Sequence, residues 1–245
     1  MSRERAQALL TQHFGPFGPL RFPYYRMGNV DSLHLFGDTE LMIMALYWEN
    51  RKRWHRALDI GANIGLHSIL MARLGWTVRA YEPDHASYAR LVANLEANGL
   101  HAEQCEANLA AVHTAEGEAD FVRVLDNLTG NHLAGFKYSY GPRETVRVRT
   151  VDCRPLFDWA DFAKIDCEGN EADLMLTTTR EQMAHLSMVA EVRDRTNALR
   201  VYQHFMELEV PLWSQKRDWR RVSVFGDMPE SVKDGSLFVG HCAPF

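Results

Sequence analysis

The run DIGANIGLHSILMARLG, residues 59–75, reads as the end of a buried strand, a tight turn and a helix. RALDIG supplies the strand. Leu66, Ile69, Leu70 and Leu74 supply one apolar helix face, and Gly75 stops it. Gly61 lets the backbone turn sharply and approach a ligand closely. Asn63 tolerates the left-handed conformation better than most non-glycine residues. Gly65 lets the helix begin close to the sheet, where its free N–H groups can hold an anion. Such a turn lies where open α/β sheets bind ligands, beyond the carboxyl end of a strand.

Working outward, WTVRAYE alternates as a second strand, ended by Glu82 and Pro83. A helix follows over 84–98, with Asp84 as N-cap and Gly99 beyond its end. HAEQCEAN is a third strand. Strand and helix in alternation imply a parallel sheet with right-handed crossovers. EADFVRV and ETVRVRTVD read as further strands or a local hairpin insertion. FAKIDCEGNEADLMLTTT reads strand, tight turn, helix. LSMVAEVRD is another buried strand and TNALRVYQHFMEL a helix. WRRVSVFG and GSLFVGH are two late strands that suggest an antiparallel edge. The predicted fold is therefore a doubly wound, mostly parallel, seven-stranded α/β sheet over 51–245.

Residues 1–50 read as an N-terminal extension. It has a short helix over 1–12 and irregular, ring-rich chain in FGPFGPLRFPYYRMG. A second helix over 40–49 is capped by Asp38 or Thr39, with Leu41, Met44, Ala45 and Trp48 on its apolar face. Tyr24, Tyr25 and Arg26 would either cover an acceptor as a lid or latch hydrophobically to the core.

The chain has 245 residues, a net charge of −5, 46% apolar residues and 24% charged ones, an ordinary globular composition. The longest apolar run, 41–48, is far too short to span a bilayer. The start MSRERAQALL lacks a signal core, and low-complexity runs and repeats are absent. Cys105, Cys153, Cys167 and Cys242 show neither C-x-x-C nor zinc spacing, so they read as reduced thiols in a cytoplasmic protein. The acidic balance argues against nucleic acid as partner. Arginines outnumber lysines by 22 to 5. Their clusters at 143–154, 193–200 and 217–221 read as solvated faces, or as forks for planar anions.

The glycine turn does not suit a dinucleotide, which wants G-x-G-x-x-G. G-A-N-I-G is preceded instead by Asp59, whose charge opposes a pyrophosphate and suits a cationic ligand. Glu82 is placed to accept from both hydroxyls of a ribose. An adenosine, a small carboxylate and a nearby positive charge together describe S-adenosylmethionine. A dehydrogenase is disfavoured by the same residues.

Three motifs sharpen this expectation: DIGANIG, then YEPD, then KIDCEGNEADLML, with VAEV after them, across residues 57–192. In this order they resemble the FkbM-type family of class I S-adenosylmethionine-dependent methyltransferases, a Rossmann-like fold. The resemblance implies that Asp59, Gly61, Asn63 and Gly65, with Ala62 and Ser68 beside them, hold the methionine end of the cofactor. Glu82 and Pro83 would meet the ribose, and Asn108 the adenine. Members mostly methylate hydroxyls of sugars, glycolipids or polyketide-like metabolites, so the expected acceptor is a carbohydrate or glycosylated metabolite. Asn170 departs from the alanine usual after the Glu-Gly pair.

Methyl transfer to an alcohol needs alignment of the acceptor and removal of its proton. Asp166, at a strand end beside the glycine turn, is the expected base or hydroxyl ligand, and it also faces the cofactor's methyl end. Glu168 would orient the acceptor, and Glu191 would face the same pocket. Glu171 either joins them or stabilises the start of the next helix. Asp166, Glu168 and Glu171 could also hold a divalent ion, an alternative not favoured. His67 reads as a packed or capping residue. Asn131 or His132 could touch the acceptor from a loop. Lys164 shares a face with Asp166 and could pair with a carboxylate. The rival readings are methylation of RNA or another nitrogen acceptor, and a non-catalytic nucleoside-binding module.

Overall fold

The computed structural model of the protein describes residues 11–27, 30–125, 130–135 and 141–245. Its frame is an eight-stranded sheet. The strands are β1 (Arg56–Ile60), β2 (Thr77–Tyr81), β3 (Cys105–Asn108), β8 (Phe162–Ile165), β9 (Ser187–Glu191), β10 (Leu212–Ser214), β11 (Arg220–Arg221) and β12 (Ser236–Val239). They lie in the order β11-β10-β12-β9-β8-β1-β2-β3. Strands β9, β8, β1, β2 and β3 run parallel. β12 is antiparallel to β9 and β10, and β11 to β10.

Both faces of this sheet are buried, and the alternation of side chains sorts them into two layers. Ala57, Phe162, Val189 and Phe238 face one layer with helices α1 (Asp38–Glu49), α2 (Leu66–Arg73) and α3 (His85–Ala97). Leu58, Ile60, Ala163, Ile165, Met188 and Leu237 face the other. That second layer holds α4 (Cys153–Trp159), α5 (Glu171–Met175), α6 (Arg180–Met183) and α7 (Arg195–Leu208). The two 118–124 and 144–152 runs pair as an antiparallel ladder, β5 (Gly117–Val124) with β7 (Arg143–Asp152). With β4 (Ala111–His113) and β6 (His132–Leu133) they form a separate four-stranded sheet. Its own small core is Ala111, Phe121, Leu133 and Val148.

Several expectations are corrected. The sheet has eight strands, not seven, because Leu212–Ser214 (β10) inserts between the two expected late strands. Of WRRVSVFG only Arg220–Arg221 is strand, followed by a 3-10 turn over Phe225–Asp227. GSLFVGH is strand over Ser236–Val239, as expected, and the added strand Leu212–Ser214 is too short for its alternation to register. The helix expected over 1–12 lies mostly outside the described residues, and Thr11–His13 is strand paired with Pro19–Arg21. Helix α1 is preceded by Gly37 with no side-chain cap, so neither Asp38 nor Thr39 serves as N-cap. Its buried residues are Ile43, Met44, Leu46 and Tyr47, while Leu41 and Ala45 are exposed. The sheet, not the helix's own periodicity, selects that face. Trp54 sits beyond it, stacked on Phe162 of β8 at 4.3 Å.

The extension is latched to the sheet layer. Phe17, Leu20 and Phe22 are buried in the first core. Arg73 donates to the Phe17 carbonyl and to Asn98 Oδ1, each at 2.9 Å, and Asn98 donates to the Arg21 carbonyl at 2.7 Å. Among the described residues, no helix is long and apolar enough to cross a membrane.

Candidate functional site

Strands β1, β2 and β8 end side by side, and a cavity of about 270 Å³ opens at their carboxyl ends. The turn after β1 forms its floor. Gly61 has φ +77°, Asn63 +50° and Gly65 +90°, the left-handed conformations that glycine and asparagine accept. The Gly61 and Ala62 N–H groups both donate to the Tyr81 carbonyl at 3.0 Å, tying the turn to β2. Gly61 also packs directly on the Asp166 carbonyl beyond β8. A Cβ added there would lie 1.8 Å from that oxygen.

Glu82 bridges the turn and the next helix. Its Oε2 accepts from Asn63 N–H and its Oε1 from Asp84 N–H, each at 2.8 Å. Asp84 then caps α3 by accepting from Ala86 and Ser87 N–H, as expected. Burial pushes the Glu82 carboxyl up to about 7, against the two N–H donors that pull it down. A carboxyl raised on folding destabilises the fold as it ionises. Glu82 therefore removes stability as pH rises from about 4.5 to about 7. Thermal melts from pH 5 to 8 are expected to show this decline, and Glu82→Gln to flatten it. A slope unchanged in the variant would mean other groups carry it.

Behind the turn lies a charge cluster that reaches the cavity through Lys164 and Asp166. Asp59 is completely buried and accepts from Ser68 Oγ–H at 2.5 Å. Lys164 Nζ stands 3.5 Å from both Asp59 Oδ1 and Asp166 Oδ2 and donates to the Gly61 carbonyl at 3.2 Å. Burial alone would lower this amine, but the carboxylates of Asp59, Asp166 and Glu40 hold it above its ordinary value. Asp59, Gly65 and Ser68 thus lie beneath the floor and are not among the residues lining the cavity. This differs from a carboxylate pointing into the pocket. The reason is that Asp59 alternates inward one residue before the strand ends.

The far wall gathers Asp166, Cys167, Glu168 and Glu191. Arg193 belongs to the 193–200 cluster, a solvated face or a fork for planar anions by sequence, and here its guanidinium is the hub of this wall. Its Nη2 lies 2.8 Å from Glu168 Oε2, 2.9 Å from Glu191 Oε2 and 3.8 Å from Asp166 Oδ1, and its Nε 3.6 Å from Glu171 Oε1. The available signal was the Glu-x-Arg spacing at the end of β9, which puts both side chains on one face. Glu171 is drawn away from the cavity. It accepts from the Cys167 and Gly169 N–H groups and closes the turn in which Glu168 takes φ +65°. The alternative of a divalent-ion site on Asp166, Glu168 and Glu171 does not assemble, because Glu171 is spent on backbone and Arg193 sits among the rest. Burial, then the charges of Asp166, Glu168 and Glu171, push the Glu191 carboxyl up to about 8, with Arg193 opposing.

The remaining walls come from elsewhere in the chain. Ala111, Val112, Phe121 and Leu133 make an apolar flank beside Glu82 and Pro83, with Asn131 next to them. Asn131 Oδ1 accepts from Val124 N–H at 2.8 Å, while its Nδ2 is buried without a hydrogen-bond partner among the described residues. His132 is buried and paired to the Gly130 carbonyl at 2.8 Å, away from the walls. Asn108 ends β3 and gives its carbonyl to Glu82 N–H at 3.0 Å; its side chain does not line the cavity. Asn170 is buried and donates to the Val112 carbonyl at 3.2 Å, so it joins α5 to the small sheet. The extension contributes Met27, His34, Leu35 and Glu40. Tyr24 and Tyr25 do not line the cavity. The Tyr24 hydroxyl donates to Asp31, and Tyr25 lies under the Arg90 guanidinium.

Known proteins give this geometry a context. A family model described as the methyltransferase FkbM domain matches residues 59–211. No curated protein matches the chain significantly. A human methyltransferase 10 domain-containing protein aligns over 98% of this chain and 95% of its own, at 13% identity and a TM-score of 0.51. A methyltransferase FkbM from Methylobacillus flagellatus aligns over 76% of this chain at 15% identity and a TM-score of 0.45, and this chain spans 43% of that one. An O-methyltransferase from Bacillus cereus, solved with S-adenosylhomocysteine, aligns over 81% of this chain and 80% of its own, at 11% identity and a TM-score of 0.43. At 13% identity the likeness to the human protein speaks for the fold alone.

Proposed function

Because this chain belongs to the FkbM methyltransferase domain family, we propose that it is an S-adenosylmethionine-dependent O-methyltransferase. Its acceptor would be a hydroxyl of a carbohydrate or glycosylated metabolite. The observation that carries this reading is one cavity that joins the glycine turn and Glu82 to Asp166 and Glu191.

The cavity offers what the donor needs. Two cavity-lining residues hold buried polar atoms with no hydrogen-bond partner among the described residues: Asn63 Oδ1 and Asn131 Nδ2. Glu82 would accept from ribose hydroxyls with the lone pairs its backbone donors leave free. The Ala111, Val112, Phe121 and Leu133 flank would enclose the adenine, and the Asn131 amide would donate to a ring nitrogen. Gly61, Ala62 and Asn63 would border the methionine end, with Asp59, Gly65 and Ser68 shaping the turn from behind. When bound, the sulfonium supplies an electrophilic methyl group. Asp166 would receive and align the acceptor hydroxyl. Glu191, whose raised affinity for protons suits a base working near neutral pH, would take the hydroxyl proton. Arg193 would keep the two carboxylates apart in role by pairing with the wall they share. The hydroxyl acceptor and its carbohydrate class rest on family analogy.

Calorimetric titration with S-adenosylmethionine and S-adenosylhomocysteine tests the donor. Ribose hydroxyls need Glu82 as a carboxylate. Affinity is therefore expected to rise about tenfold between pH 6 and 8, as a group near pH 7 ionises. Glu82→Ala should lose most of the binding and the pH dependence with it. Binding of NADH in place of these ligands would defeat the reading. Methyl transfer to sugar hydroxyls then tests the acceptor, and transfer to RNA or amines alone would reassign it.

A further inference from the structure

We propose that Glu40, aimed by a buried His67–Tyr47 pair, binds the α-ammonium of the cofactor's methionine end, so that the N-terminal extension completes the donor site. This rests on the donor reading above. Glu40 stands on the first turn of α1, outside the span matched by the family model. It lines the cavity together with Gly61, Ala62, His67 and Lys164. Tyr47 follows seven residues later, on the same helix face. It is completely buried, and its hydroxyl lies 2.9 Å from His67 Nδ1.

That contact sets the direction of the whole chain. Burial and the nearby carboxylates of Asp59, Glu40 and Asp166 keep the Tyr47 phenol protonated, and the Glu40 carboxylate facing Nε2 can only accept, so the phenol donates its hydrogen bond to Nδ1. His67 Nδ1 is then the acceptor, and the ring proton sits on Nε2. Nε2 stands 3.0 Å from Glu40 Oε2. His67 Nε2–H thus pairs with Oε2 and leaves the carboxylate further lone pairs with which to accept from a ligand. Burial would raise the Glu40 carboxyl, but His67 and Lys164 outweigh it and hold it below its ordinary value. Glu40 is therefore an anion at neutral pH. The nearest lysine is already shared among Asp59, Asp166 and the Gly61 carbonyl. A primary ammonium at the methionine end, with three donors, meets this carboxylate beside the glycine turn.

Titration of the full chain with two ligands tests the assignment. S-adenosylhomocysteine carries the amino acid, and 5′-methylthioadenosine is the same nucleoside without it. Glu40→Gln is expected to weaken S-adenosylhomocysteine binding about 10- to 100-fold, the scale of one charge-assisted hydrogen bond, and to leave methylthioadenosine within about twofold. Tyr47→Phe keeps the ring packing. It should weaken only S-adenosylhomocysteine, by about 3- to 10-fold, and it carries the test if Glu40→Gln does not fold. Equal loss of both ligands, or no loss of either, in the folded variants overturns the proposal while leaving the donor reading intact. Wild-type protein that binds neither ligand overturns both.

Discussion

Replacing Gly61 with alanine is expected to destabilise the protein by about 3 kcal/mol or more and to abolish cofactor binding. Two costs add at this position. The left-handed backbone at φ +77° costs a non-glycine residue ~1–2 kcal/mol. The new Cβ would also meet the Asp166 carbonyl at 1.8 Å. That oxygen cannot step aside cheaply, because Asp166 N–H is bonded to the Ile60 carbonyl at 3.0 Å and β8 is laddered to β1 through Ile165 and Ile60. Relief would have to separate the two strands whose ends form the site. Gly75→Ala is the matched control, since Gly75 has φ +87° and open space around its missing Cβ. It should cost only the backbone part, about 1–2 kcal/mol. Denaturant unfolding of both variants gives the comparison. Equal losses would show that the contact with Asp166 does not constrain the turn.

Gly61 also marks what was legible before the structure. The turn, Glu82, Asp166 and Glu191 all sit at strand ends, and a short local pattern suffices to place a strand end. The doubly wound sheet followed for the same reason: the short buried apolar runs of β1, β8 and β9 register over a few residues. Arg193 did not stand out, because its partners come from the 166–171 turn and from Glu191, and in the sequence it is one of many arginines. Asp59 points the opposite way from its sequence reading. Being the strand's penultimate residue, it points beneath the turn to Ser68 and Lys164, and no motif records that. Glu40 and Tyr47 gain meaning only when α1 packs across the start of α2, a contact between segments about 20 residues apart. The same packing decided which side of α1 is buried, against the face its own periodicity suggested.

Asp166→Asn is expected to lower kcat by about 10²-fold, the cost of a misaligned acceptor, while S-adenosylhomocysteine affinity changes little. The two acids on the far wall differ in environment, which is how paired carboxyls divide their work. Glu191 is buried beside Asp166, Glu168 and Glu171, and is pushed up to about 8. As the proposed proton acceptor, it must be ionised. Turnover should then climb about tenfold per pH unit below pH 8 and level off above it. After burial, the charge of Asp166 is the largest influence holding Glu191 up. Asp166→Asn removes that charge, so the residual activity should reach its plateau at a lower pH than in the wild type. Glu191→Gln should remove the rising limb and leave a slow, flat rate, with Asp166 still aligning the hydroxyl. Each role thus has its own signature: a shift of midpoint for Asp166, a loss of slope for Glu191. An unshifted midpoint in Asp166→Asn would mean the two carboxyls are not coupled through the cavity. A retained limb in Glu191→Gln would hand the proton to another group, with Asp166 the first to test.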